Sequence, residues 1–156
     1  MANHSAIQTL VELATREVDE SAKRLGLAMR AHEDNEQKLV MLLQYREDYA
    51  NRCQQELTTG LTTQGYQNFR TFLNKLDDAI DGQREIVKRS RNNVDTEHHA
   101  WQSAERKRMS YDTLAQRAQQ KENQQNSRRE QKATDEYASR NQANRPHAYK
   151  HTVGHE

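Results

Sequence analysis

The chain has little of what shapes an ordinary globular core. It has one proline, at position 146, and five glycines among 156 residues, so almost nothing in it forces a turn or a break. Cys53 is the only cysteine, which excludes an internal disulfide and fits a reducing compartment. Hydrophobic residues make up 33% of the chain and aromatic residues 6%. Mean hydropathy is −1.27, too polar for a conventional packed domain. No run approaches the roughly 18 apolar residues of a membrane span. No basic segment followed by an apolar run opens the chain, so no leader is expected.

The motifs of common chemistry are missing as well. The sequence contains no GxxxxGK[ST] loop, no GxGxxG and no HExxH. Its carboxylates fall on solvated helix faces, where nothing perturbs them into acid–base work. We therefore expect no enzyme, and no catalytic, cofactor-binding or metal-binding residues. His98 and His99 are adjacent, so on a helix they diverge by about 100°. His147, His151 and His155 are spaced by four but follow Pro146, and that spacing alone does not make a metal site.

What is present is helix-forming and charged: Ala, Leu, Glu, Gln, Lys and Arg dominate. Net charge is +1, but its distribution is uneven. Residues 1–57 carry seven basic and ten acidic side chains, whereas residues 82–132 carry twelve and seven.

A heptad step begins at Val11 and predicts one long helix over about residues 5–57. Ser5 and Gln8 have the spacing of a capping box at its start. One predicted seam row holds Val11, Val18, Leu25, Leu39 and Cys53; the other holds Ala22, Met29, Leu43, Ala50 and Leu57. Polar Glu36 and Arg46 interrupt the seam and are read as register-setting residues, and His32 is read the same way. The uncharged stretch TTGLTTQG, residues 58–65, predicts the turn, with Gly60 at C′ and Thr62 or Thr63 as the next N-cap.

A second helix over about 66–143 repeats the rhythm through Phe69, Leu73, Leu76, Ile80, Val87 and Val94, then Trp101, Ala104 and Tyr111. A short connection makes the two antiparallel neighbours. Matching Leu57 with Phe69 sets Leu25 opposite Trp101 and Cys53 opposite Leu73. The expected fold is all-α: a long two-stranded antiparallel coiled-coil hairpin spanning residues 1–143. The second helix overhangs the first beyond about Ala118, and residues 144–156 form a disordered tail.

In that frame the g rows are apolar and the e rows charged, so one side of the rod is greasy. Leu42, Tyr45, Tyr49, Phe72, Ala79 and Ile86 converge on it near the turn, and a contiguous exposed apolar patch marks an interaction site. The basic runs at 88–91, 106–108 and 128–129 allow a nucleic-acid-binding hairpin as an alternative. Stacking would need aromatics among those charges, yet Trp101 and Tyr111 sit in the seam.

The stretches LVELATREVDESAKRLG, LLQYREDY, NFRTFLNKLDDAI and DEYASR, together with the chain length, resemble the FliJ family of flagellar type III export proteins over about residues 7–140. The resemblance implies an antiparallel coiled coil like the central stalk of rotary ATPases, monomeric and cytoplasmic, associated peripherally with the inner membrane at the flagellar base. It implies insertion into the ring of the export ATPase FliI, contact with the cytoplasmic domain of the export gate FlhA, and a part in cycling export chaperones. The family's gate contact matches Leu42, Tyr45, Tyr49, Phe72, Leu76 and Ala79 here, with Ile86 extending the patch; Lys38 and Gln83 are not carried over. The ATPase contact would lie at the far end, before about Leu25 and beyond about Trp101. The equivalent stalk of a virulence secretion system is the second reading.

Overall fold

The computed structural model describes residues 2–146, with side chains from residue 4 onward. Two helices make up almost all of it: α1, Ala2–Thr59, and α2, Thr63–Ala143. α1 begins before the predicted cap. Ser5 lies inside it, and its carbonyl accepts a hydrogen bond from Thr9 Oγ1 at 3.0 Å. The pattern S-x-x-Q therefore does not mark the start, because the residues before it already hold helical geometry.

The turn is tight. Gly60 takes a φ of 102°, a left-handed conformation that ends α1 without a Cβ penalty. Thr62 then caps α2, its hydroxyl accepting from the Gly65 amide at 3.1 Å. An added Cβ at Gly65 would meet Leu61 Cδ1 at 2.9 Å, so a larger residue there would push Leu61 out of the turn. At the other end Asn144 closes α2, its N–H donating to the Arg140 carbonyl at 3.0 Å. The expected tail from 144 lies outside the described residues from 147 on, and so do His147, His151 and His155.

The helices run in opposite directions. As residue numbers rise along α1, cross-helix partners fall along α2: Glu17 with Lys107 at 3.7 Å, Arg24 with Glu97 at 3.4 Å, then His32 with Ser90 at 3.0 Å. Arg46 with Asp77 and Tyr49 with Phe72 complete the ladder. Leu25 opposite Trp101 is thus corrected: partners lie about five residues closer to the turn, because the connection is only Gly60, Leu61 and Thr62.

The seam of α2 falls where the periodicity puts it. Leu76, Ile80 and Ala104 are buried, and Phe69, Leu73, Val87, Val94, Trp101 and Tyr111 are half-buried. The seam of α1 is rotated by one row. Its inner positions are the row of Val11, Leu25, Leu39 and Cys53 together with the row of Ala14, Ser21, Ala28, Leu42 and Tyr49. Met29 is 55% exposed and Leu57 48%, although both were expected inside. Ala14, Ser21 and Ala28 are buried there, small side chains of the kind that allow a short interaxial distance.

Of the polar interruptions, His32 and Arg46 act across the gap, whereas Glu36 is corrected: it lies on the exposed row and pairs with His32 of its own helix at 3.1 Å. His32 Nδ1 lies 3.0 Å from Ser90 Oγ, and the Ser90 hydroxyl donates to the Val87 carbonyl at 2.8 Å. Gln83 Nε2 donates to the Asn35 carbonyl at 2.9 Å. Such pairings hold only in one register, which a continuous apolar seam would not enforce. Beyond Ala118 every described residue is exposed; Glu122 still shares a groove with His4, Gln8 and Glu12 of α1, and from there α2 runs on for about 31 Å.

Candidate functional site

Heptad geometry puts Tyr45 and Tyr49 one turn apart on α1, and Phe69 and Phe72 one turn apart on α2. The antiparallel register brings the four rings together just above the turn. Tyr49 packs on Phe72 with centroids 4.4 Å apart and on Phe69 at 5.0 Å. Tyr45 meets Phe72 edge-on, at 6.4 Å and 71°. The two Tyr49 contacts are tilted, at 47° and 48°, and none of the three is the disfavoured face-to-face sandwich.

The seven residues expected to form a docking patch fall into two groups. Tyr45, Ala79 and Ile86 are exposed. Leu42, Tyr49 and Phe72 are half-buried, and Leu76 is buried in the seam. Leu42 and Tyr49 are corrected from outward-pointing flank positions to seam positions, a consequence of the one-row rotation of α1. Leu76 supports the patch from beneath and presents no face to a partner in the free hairpin.

Sequence reasoning missed Met41. It is 69% exposed and lines a shallow groove of about 370 Å³ with Lys38, Leu42, Tyr45 and Gln83. Its place one helical turn before Tyr45 is the signal that could have found it. Lys38 gives the rim one positive charge. Phe69 also joins the ring cluster, having been read only as a seam residue.

On the opposite side of the rod Arg46 engages Asp77. The hydrogen bond from Arg46 holds the Asp77 carboxyl below its ordinary value of 3.8, against a smaller opposing effect of burial and with help from the opposite charge. Hydrogen bonding and charge from Asp77 raise the Arg46 guanidinium in turn. Farther along, Arg108 lies between Glu105, at 2.5 Å, and Asp112, at 2.8 Å. Part of the basic run at 106–108 is therefore neutralised locally, and Lys107 reaches Glu17. Among the described residues no cluster of three or more His, Cys, Asp or Glu could hold a metal ion. Among them no helix is long and apolar enough to cross a membrane.

A two-helix rod with apolar and aromatic surface gathered near its turn is a helical hairpin. The chain belongs to the flagellar FliJ protein family, whose model matches residues 3–147. The flagellar FliJ protein of Escherichia coli K12 is 30% identical over 146 residues, covering 94% of this chain and 99% of that protein. The flagellar FliJ protein of Salmonella typhi is 29% identical over the same span, with the same coverage.

Proposed function

We propose that this chain is a non-enzymatic stalk and coupling component of the flagellar type III export apparatus. In this reading the hairpin is an antiparallel coiled coil. Its open end, with the α2 overhang, enters the ring of the export ATPase and promotes ring assembly. The end near the turn contacts the cytoplasmic domain of the export gate through Tyr45, Ala79 and Ile86, with Leu42, Tyr49, Phe72 and Leu76 shaping the surface from within. The chain also assists the cycling of export chaperones. It acts as a monomer in the cytoplasm and reaches the inner membrane at the flagellar base through those partners.

The observation that carries this reading is the family match over residues 3–147, nearly the full length of the hairpin. A rod whose second helix outlasts its first suits entry into a ring, and exposed rings and aliphatics at the other end suit protein docking. The same match favours the flagellum over a virulence system, and loss of motility in a deletion strain is the expected outcome. The direct test adds the purified chain to the export ATPase. Stimulated ATP hydrolysis and hexamer formation are expected; no change in either would remove the stalk role.

A further inference from the structure

α1 carries more apolar surface than the hairpin uses. Its apolar residues occupy three adjacent heptad rows, and α2 covers two of them. The third row runs through Ala22, Met29, Leu43, Ala50 and Leu57, with Glu36 as its one charged member in that span. Met29, Leu43 and Leu57 remain exposed. A single partner needs only a narrow seam, and a wider stripe belongs to a helix with two neighbours.

Near the turn this row opens into a groove between the helices. The groove has a volume of about 380 Å³, and Ala50, Cys53, Leu57, Tyr66 and Leu73 line it beside Arg70. The two edges of the row differ in charge. Exposed Asp19, Glu33 and Glu47 follow the α1 edge, and exposed Arg70, Arg84 and Arg91 follow the α2 edge. Asp77, the acidic member on the α2 edge, is already engaged by Arg46. From Met29 to Leu57 the row spans about 42 Å, or four heptads.

We propose that this face, on the side of the rod away from Tyr45 and Ile86, docks one amphipathic α-helix of a partner protein. That helix lays an apolar heptad stripe on Met29, Leu43 and Leu57. It sets an acidic edge against Arg70, Arg84 and Arg91 and a basic edge against Glu33 and Glu47. The third apolar row is then the third side of a three-helix seam. The inference stands apart from the role in export, since it uses neither the aromatic patch nor the overhang.

The test uses the full chain and a synthetic helical peptide of about 28 residues. The peptide has Leu at heptad a and d, Glu along one edge and Lys along the other; a companion peptide has Lys on both edges. Fluorescence anisotropy should show binding of the mixed-edge peptide, and binding of the companion weaker by about tenfold or more. The triple substitution Met29→Glu, Leu43→Glu and Leu57→Glu should weaken mixed-edge binding by a similar factor at unchanged helicity. Leu27→Glu, exposed but off the row, should not. If the triple variant loses helicity, methyl NMR of the unsubstituted chain decides: the peptide should shift Met29, Leu43 and Leu57 and leave Leu27 in place. Undiminished binding to a folded triple variant, methyl shifts that avoid the row, or equal binding of both peptides would overturn the proposal. So would a concentration-dependent dimer abolished by the triple substitution, because the occupant would then be a second copy of this chain.

Discussion

The Arg46 guanidinium and the Asp77 carboxylate meet across the hairpin, joining an inner position of α1 to the flank of α2. Both side chains are partly open to water, so the pair adds little to stability. Its effect is on alignment. A one-heptad slip would separate the two charges while leaving most apolar contacts replaceable, so the pair favours one register over its neighbours.

This pair sets a pH dependence. Asp77 is held below its ordinary carboxylate value in the fold. Its contribution is therefore complete above the unfolded value near 3.8 and is lost as pH falls through the lower folded value. Arg46→Gln should lower Tm at pH 7, and that difference should vanish under strongly acid conditions. Circular-dichroism melts of both proteins across the acid range check this; a gap undiminished at low pH would mean that Arg46 acts through packing.

Burial separates two leucine-sized positions that the sequence pattern treats alike. Ile80 is 3% exposed and Leu43 38%. Ile80→Ala should cost about 2–5 kcal/mol of folding stability, and Leu43→Ala less than about 1 kcal/mol. Urea unfolding of each variant measures both. Equal losses would restore the unrotated frame of α1.

Burial of Ala14, Ser21 and Ala28 predicts intolerance of bulk. Ala28→Leu should destabilise by about 1–3 kcal/mol through overpacking, although leucine is a good helix former. A neutral result in the same urea assay would place Ala28 outside the seam.

The turn makes a narrower prediction. Gly60 sits at a φ of 102°, where an L side chain costs about 1–2 kcal/mol. Gly60→Ala should lower Tm without reducing the helix signal at room temperature. An unchanged Tm would show that the turn relaxes into another conformation.

Tyr45 tests the docking end. It is 54% exposed and touches Phe72 only edge-on. Tyr45→Ala should leave Tm nearly unchanged while weakening binding to the export gate domain, read by calorimetry. Leu76→Ala should show the opposite balance, losing stability first, because its side chain is buried.

The two helices differ in how much of them the sequence disclosed, and the difference is physical. In α2 the pair of rows chosen by the period is the pair that the fold encloses from Phe69 to Ala118, and its third apolar row of Phe72, Ala79 and Ile86 lies on the flank. α1 has three apolar rows, and periodicity cannot choose between pairs that share a member. The larger row of Met29, Leu43 and Leu57 looks more hydrophobic, yet the hairpin encloses Ala14, Ser21 and Ala28. Which pair of rows is enclosed depends on the partner helix, which a single-helix pattern does not encode. The proposed docking surface inherits the same ambiguity. Tyr45, Ala79 and Ile86 are exposed as the pattern expects, whereas Leu42 and Tyr49 moved inward with the frame and Met41 was seen only once the groove was.

The stretch of α2 beyond Glu122 extends past the last groove it shares with α1, and all of its described residues face water. A lone polar helix lacks the tertiary packing from which most helical stability in proteins comes. Its amides should exchange with deuterium far faster than those around Ile80. Anything that encloses the segment would pay for its ordering in conformational entropy, so association through it should weaken steeply on warming. The hairpin thus joins a stiff shaft to a tip whose shape is decided by its surroundings.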